Sequence, residues 1–265
     1  MRALWLNGGP VAADELAALA LVNYGHFTSL QVRGGAAQGL DLHLQRLQDA
    51  TRELFDATLD EATLRVWMRQ AAAGGDVSLR VTVFARDFDR RMPEKPATPD
   101  VLVAAAPPAP MPAGPMTVAS VPFVRPAPHL KHVGTFPLFH QMRLARRRGF
   151  DDALFVDGSG PQARVLEGSI WNAGFWDGEG VVWPEGPALR GTAERLLQEA
   201  LAARGVPQAT RPVALSEVGR FRGAFACNSA GVRLLAAIDA AAYRPTPELA
   251  ALLAEALAGR PWTPL

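Results

Sequence analysis

Among the 27 basic residues of the 265-residue chain only two are lysines, Lys95 and Lys131. Lys131 lies in Ala127-Pro128-His129-Leu130-Lys131-His132-Val133-Gly134, a stretch with little of the character of a solvent face. A desolvated primary amine becomes a neutral nucleophile, which a guanidinium cannot do. Lys131 is therefore a candidate nucleophile, weighed against an ordinary lysine at a loop edge. Lys95 fits the plain reading, since Arg90-Arg91-Met92-Pro93-Glu94-Lys95-Pro96 is a polar, proline-bearing loop. His129, His132 and His140 lack the spacing of a short zinc motif, and a lysine among them would repel a cation, so no metal site is expected. Ser229 in Cys227-Asn228-Ser229-Ala230-Gly231 lacks the Gly-x-Ser-x-Gly elbow of a serine hydrolase. The chain also lacks a glycine-rich dinucleotide fingerprint and a P-loop.

The elements that must position Lys131 are readable from periodicity. Strands are expected at Ala3 to Leu6, His26 to Arg33, Val77 to Ala85 and Val101 to Ala105, and helices at Ala13 to Leu21 and around Leu42 to Phe55 and Leu64 to Ala71. Residues 106–115 carry Pro107, Pro108, Pro110, Pro112 and Pro115, which bar helix and central strand and suggest a linker. Beyond it a strand is expected at Met116 to Val124 and a helix at Phe136 to Arg148. Asp157-Gly158 and Asp177-Gly178 then mark two hairpins, because Asp-Gly supplies the positive φ angles of tight turns. Thr192 to Arg204 and Pro247 to Ala258 read as helices, and Gly223 to Cys227 as a strand. The fold class is thus α+β in two domains: residues 1–105 form a small N-terminal domain, and residues 116–265 a larger, β-barrel-like one with flanking helices. A hydrophobic content of 49% supports a substantial core, and a net charge of +1 without a basic stripe argues against a nucleic-acid partner. Cys227 is the single cysteine, and the proline-broken apolar stretch 101–124 does not read as a membrane span; a cytoplasmic protein with no membrane partner is expected.

Four segments occur in a familiar order: His43-Leu44-Gln45-Arg46-Leu47, His129-Leu130-Lys131, Val165-Leu166-Glu167-Gly168-Ser169-Ile170-Trp171-Asn172 and Leu189-Arg190-Gly191-Thr192. Over nearly the whole chain this resembles the class IV aminotransferases, pyridoxal-phosphate enzymes of fold type IV that include branched-chain and D-amino acid aminotransferases and aminodeoxychorismate lyase. The resemblance implies pyridoxal 5'-phosphate as cofactor, amino acids and 2-oxo acids as substrates, and a homodimer. It makes Lys131 the Schiff-base lysine, which also moves the proton at the substrate Cα. Glu167 becomes the carboxylate that pairs with the pyridine nitrogen. Arg46, Gly191, Thr192 and Ser229 become binders of the phosphate, the arginine by paired hydrogen bonds and Gly191 and Thr192 through a helix N-terminus. The turn at Ser229 and Ala230 offers backbone donors to the substrate carboxylate, and Arg80 and Arg86 are candidate carboxylate binders by the same resemblance.

The chain departs from the family in three places. Phe136 stands where many relatives have a tyrosine near the Schiff base. The pattern Leu-Pro-Gly-Ile/Val-Thr-Arg becomes Leu189-Arg190-Gly191-Thr192-Ala193-Glu194, which adds a carboxylate near the expected phosphate. Tyr24-Gly25-His26-Phe27-Thr28-Ser29 replaces Gly-Asp-Gly-x-Phe-Glu, so substrate preference does not transfer. Two alternatives stay open at this level: a lyase using the same cofactor, and a scaffold that binds or regulates without catalysis.

Overall fold

The computed structural model describes residues 3–108 and 111–265, so Ala109 and Pro110 of the expected linker lie outside the described residues. The chain forms two compact units. One comprises Met1–Ala109, Leu130–Gly134 and Pro261–Leu265; the other comprises Pro110–His129 and Thr135–Arg260.

The first unit begins with β1 (Ala3–Leu6), β2 (Gly9–Pro10), a 3-10 turn at Asp14–Leu16 and α1 (Ala17–Leu21). It continues with β3 (Gly25–Arg33), β4 (Ala36–Gln38), α2 (Leu40–Phe55), α3 (Glu61–Ala72), β5 (Val77–Phe84) and β6 (Asp100–Ala106). The helix expected over Ala13 to Leu21 is therefore α-helical only in its second half. In α2 the apolar positions Leu40, Leu44, Leu47 and Phe55 recur at helical spacing and enter the core. Asp60 caps α3 by accepting the Thr63 N–H at 2.8 Å. The antiparallel register β3/β5/β6 places Leu30, Leu79 and Ala105 in one row and Val81 and Val103 in the next, all facing the helices. The opposite face carries Phe27, Ser29, Arg80 and Thr82, with Ser29 opposite Arg80 and Phe27 opposite Thr82.

The second unit contains β7 (Met116–Pro122), α4 (Phe136–Arg147), β8 (Asp152–Asp157), β9 (Arg164–Gly168), β10 (Asn172–Trp176) and β11 (Val181–Pro184). Then come α5 (Thr192–Ala203), β12 (Gln208–Arg211), β13 (Gly223–Asn228), β14 (Gly231–Ile238), β15 (Ala241–Ala242) and α6 (Pro247–Ala258). Both Asp-Gly signals are hairpins, with Asp157 opposite Arg164 and Trp176 opposite Val181. The curled sheet runs β12-β11-β10-β13-β14-β7-β8-β9, with β15 attached to β14. Strand alternation sorts its two faces. Val118, Val156, Val165, Phe175, Ala224 and Ala226 meet in one core, whereas Phe225 and Cys227 pack with Leu197, Leu201, Leu249 and Leu253 of α5 and α6.

Two late segments return to the first unit. β16 (Trp262–Pro264) pairs antiparallel with β4, and Leu265 is buried in the first core. Residues 130–134 run along the outer edge of β3: the Phe27 N–H donates to the Lys131 carbonyl and the Val133 N–H to the Gly25 carbonyl, each at 2.9 Å, with His26 bridging His132. A division at the prolines alone would have put both segments with the second unit. Among the described residues no helix is long and apolar enough to cross a membrane.

Candidate active site

In the first unit Lys131, Arg46 and Arg80 gather around β3. The backbone pairing with β3 holds Lys131 as though it belonged to an added strand, and its Nζ stands 5.0 Å from the centroid of the Phe27 ring. The Arg80 guanidinium lies over the same ring at 3.5 Å, with its Nε donating to Thr82 Oγ1 at 3.3 Å. Arg46 sits one turn beyond His43 on α2. Two histidine–threonine pairs cross between α2 and β3: His43 Nδ1 with Thr28 Oγ1 at 2.7 Å, and His26 Nε2 with Thr51 Oγ1 at 3.0 Å. Thr28 thus has a partner on the helix that carries Arg46.

Burial pushes the His43 imidazole down to about 3, with Arg46 and Lys131 adding to the effect, and burial alone pushes His26 down to about 4. Both rings stay neutral in the folded protein where the unfolded chain would protonate them near pH 6.5. The unfolded state then binds more protons, so stability falls as pH drops from about 6.5 toward 4. Complete passage through both windows costs on the order of 3 kcal/mol or more for each imidazole. Thermal melts at pH 7 and pH 5 should show this slope, and His43→Gln should flatten it. Asp152 and Glu194, whose carboxyls burial raises, act in the opposite sense, so the wild-type and variant slopes are the quantities to compare.

Arg86 is placed otherwise than the resemblance suggested. Its guanidinium grips both carboxylate oxygens of Asp100, through Nε and Nη2 at 3.0 Å each, and its Nη1 reaches Glu15 at 2.6 Å. Asp100 also accepts from Asn7 at 2.8 Å and holds the Arg86 backbone N–H at 3.0 Å. These contacts tie β1, β5 and β6 together and give Arg86 a structural task.

In the second unit the centre is the turn from Glu167 to Asn172. Glu167, 2% exposed, forms a two-toothed ion pair with Arg125, 4% exposed, at 2.9 and 3.1 Å. Arg125 belongs to none of the sequence motifs named above. Its signal was Val124-Arg125-Pro126, an arginine between apolar and proline residues, together with the rule that a carboxylate on a buried strand needs a counter-charge. Asp152 fixes the rest of the turn, accepting from Ser169 Oγ at 2.7 Å and Trp171 Nε1 at 3.1 Å. At Gly168 a Cβ would fall 1.9 Å from the Trp171 ring, so that position excludes a side chain. Asn172 donates to the Leu189 carbonyl at 2.6 Å and so ties the loop before α5 to β10.

Gly191 stands at the N-cap of α5, with Thr192 first in the helix and 4% exposed. The opening turn of a helix leaves N–H donors without intrahelical partners, which suits an anion. A Cβ on Gly191 would fall 2.0 Å from Asn172 Oδ1, so Gly191→Ala should displace the Asn172 anchor. The expected cost is about 1–3 kcal/mol of stability together with weaker binding of a phosphate ligand, measured by melting and by ligand titration. Ser229 and Ala230 form the turn between β13 and β14, where Asn228 accepts the Ala230 N–H at 2.8 Å and donates to the Ile170 carbonyl at 3.4 Å. Phe136 opens α4, 74% exposed and stacked on His140 with ring centroids 5.4 Å apart.

The fold has known counterparts. A hypothetical aminotransferase from Mycobacterium tuberculosis in its PLP-bound form is 23% identical; the match covers 97% of this chain and 98% of that one, with a TM-score of 0.80. The branched-chain aminotransferase of Thermoproteus uzoniensis with norvaline is 18% identical over 97% and 93% of the two chains, with a TM-score of 0.83. The Escherichia coli branched-chain amino acid aminotransferase is 17% identical over 94% and 90%, with a TM-score of 0.81. These likenesses show the fold, and no curated protein matches by sequence. The amino-transferase class IV family itself matches residues 25–238, from the start of β3 to the end of β14. The chain belongs to the class IV aminotransferase family.

Proposed function

We propose that the protein is a pyridoxal-phosphate-dependent aminotransferase that moves an amino group between an amino acid and a 2-oxo acid. The observation that carries the reading is the buried Arg125–Glu167 pair. A carboxylate this deep, gripped by a guanidinium through two hydrogen bonds, is suited to face a cationic ring nitrogen. The α5 N-terminus and Arg46 fit a dianionic phosphate, and Lys131 fits a carbonyl. When bound, pyridoxal phosphate supplies an electron-withdrawing ring conjugated to the substrate's amino group.

Each residue has a definite task in this reading. Lys131 Nζ would hold the cofactor through its carbonyl carbon and would accept and return the proton at the substrate Cα. Glu167 anchors the ring nitrogen, with Arg125 holding its carboxylate in place. Arg46, the N–H groups at Gly191 and Thr192, and the Ser229 hydroxyl would hold the phosphate. Arg80, with the backbone at Ser229 and Ala230, receives the substrate carboxylate; Arg86 is left out because Asp100 and Glu15 engage it.

We further propose a cytoplasmic homodimer. The buried free thiol of Cys227 supports a reducing compartment, and Phe136 and Phe139, both exposed on α4, support association. The functional test is spectroscopic. Adding pyridoxal phosphate should give a visible Schiff-base band, and one of a panel of L- and D-amino acids should convert it to a pyridoxamine-type spectrum. Pyruvate release from aminodeoxychorismate without that conversion would instead establish the lyase.

A further inference from the structure

The first turn of α5 departs from the family pattern in charge, and the structure gives the departure a physical form. Where the pattern Leu-Pro-Gly-Ile/Val-Thr-Arg ends on a cation, this chain carries Glu194, and its cation stands four residues earlier at Arg190. The Glu194 side chain is 1% exposed. One of its oxygens accepts from Arg190 Nη1 at 2.8 Å; the other accepts from the Gly191 N–H at 3.2 Å. The Arg190 side chain, 40% exposed, is itself steered inward by the Pro184 and Gly186 carbonyls at 3.2 and 3.0 Å. A buried carboxylate therefore already engages a donor at the helix end assigned above to the phosphate.

We propose that Glu194 is a built-in counter-anion of the phosphate cup: its carboxylate holds the Gly191 N–H and weakens the grip on the dianionic phosphate, while Arg190 offsets part of that charge. The inference rests on the aminotransferase reading, which supplies the phosphate. Two negative groups at one helix terminus repel each other, and burial keeps the repulsion poorly screened. The titratable groups that bear on Glu194 are Arg190, on the preceding loop, and Cys227 on β13, whose thiol burial and Glu194 together push up. Burial holds the Glu194 carboxyl above its ordinary range, with Arg190 and the Gly191 N–H opposing. Acid thus removes the competing charge before it would protonate an exposed glutamate.

The test titrates the full-length chain, freed of cofactor, with pyridoxal phosphate at pH 8, following the Schiff-base band and the calorimetric heat. Glu194→Gln retains an amide oxygen for the Gly191 N–H and should bind roughly tenfold tighter than the unsubstituted chain at pH 8. Arg190→Gln should shift affinity the other way, so the assignment does not depend on one variant's folding. Equal affinities of Glu194→Gln and the unsubstituted chain at pH 8, or tighter binding by Arg190→Gln, would overturn the role. If the unsubstituted chain forms no Schiff base with pyridoxal phosphate, the aminotransferase reading falls and takes this role with it. If the Schiff base forms and Glu194→Gln binds no tighter, only the role of Glu194 falls.

Discussion

Glu167→Gln is expected to lower kcat by roughly a hundred- to a thousandfold, the usual cost of removing one preorganised electrostatic group from a reacting centre. An amide cannot balance a protonated ring nitrogen, so the cofactor would still bind but withdraw electrons poorly. The substitution also leaves the Arg125 guanidinium buried without its counter-ion, and breaking such a pair costs about 3–5 kcal/mol. Lost activity and lost stability therefore arrive together in the single variant. The double substitution Arg125→Met with Glu167→Gln separates them: it should recover much of the melting temperature and none of the activity. Recovery of both would make the pair a purely structural feature.

Lys131→Ala has the larger effect on chemistry and the smaller effect on the fold. Residue 131 joins the edge of β3 through its backbone carbonyl, which alanine preserves, and the side chain is only partly buried. Stability should stay within about 0.5 kcal/mol of the unsubstituted chain. Activity should fall by at least about 10⁴, since the same amine serves as nucleophile and proton carrier. Lys131→Arg should be equally inactive because a guanidinium keeps the charge without the nucleophile. Added methylamine should restore part of the turnover in Lys131→Ala and none in the parent chain. Turnover in Lys131→Arg comparable to the parent would remove Lys131 from the mechanism.

Local chemistry was well written in the sequence, and non-local chemistry was not. The α2 helix announced itself because Leu44, Leu47 and Phe55 recur on one face, and the two Asp-Gly hairpins because only a few residue types fit their turns. Lys131 stood out by composition and Glu167 by its neighbours. What stayed hidden depends on partners far along the chain. The pairing of residues 130–134 with β3 and of β16 with β4 joins segments about a hundred or more residues apart, and no periodicity encodes it. Arg125 and Glu167 are 42 residues apart, and nothing in either segment alone names the other. Arg86 looked available because Asp100 lies across a strand register that only the folded sheet establishes. Glu194 read as a plain repulsive charge, whereas its burial against Arg190 and the Gly191 N–H makes it part of the helix terminus.

The central claim is that Lys131 carries the cofactor, and the scarcity of lysine makes it directly testable. The full-length protein is incubated with pyridoxal phosphate, reduced with borohydride to fix any Schiff base, digested, and mapped by mass spectrometry. A single phosphopyridoxyl adduct on the peptide containing Lys131 is the predicted result. An adduct on Lys95 alone, or no adduct at either lysine, would contradict the account.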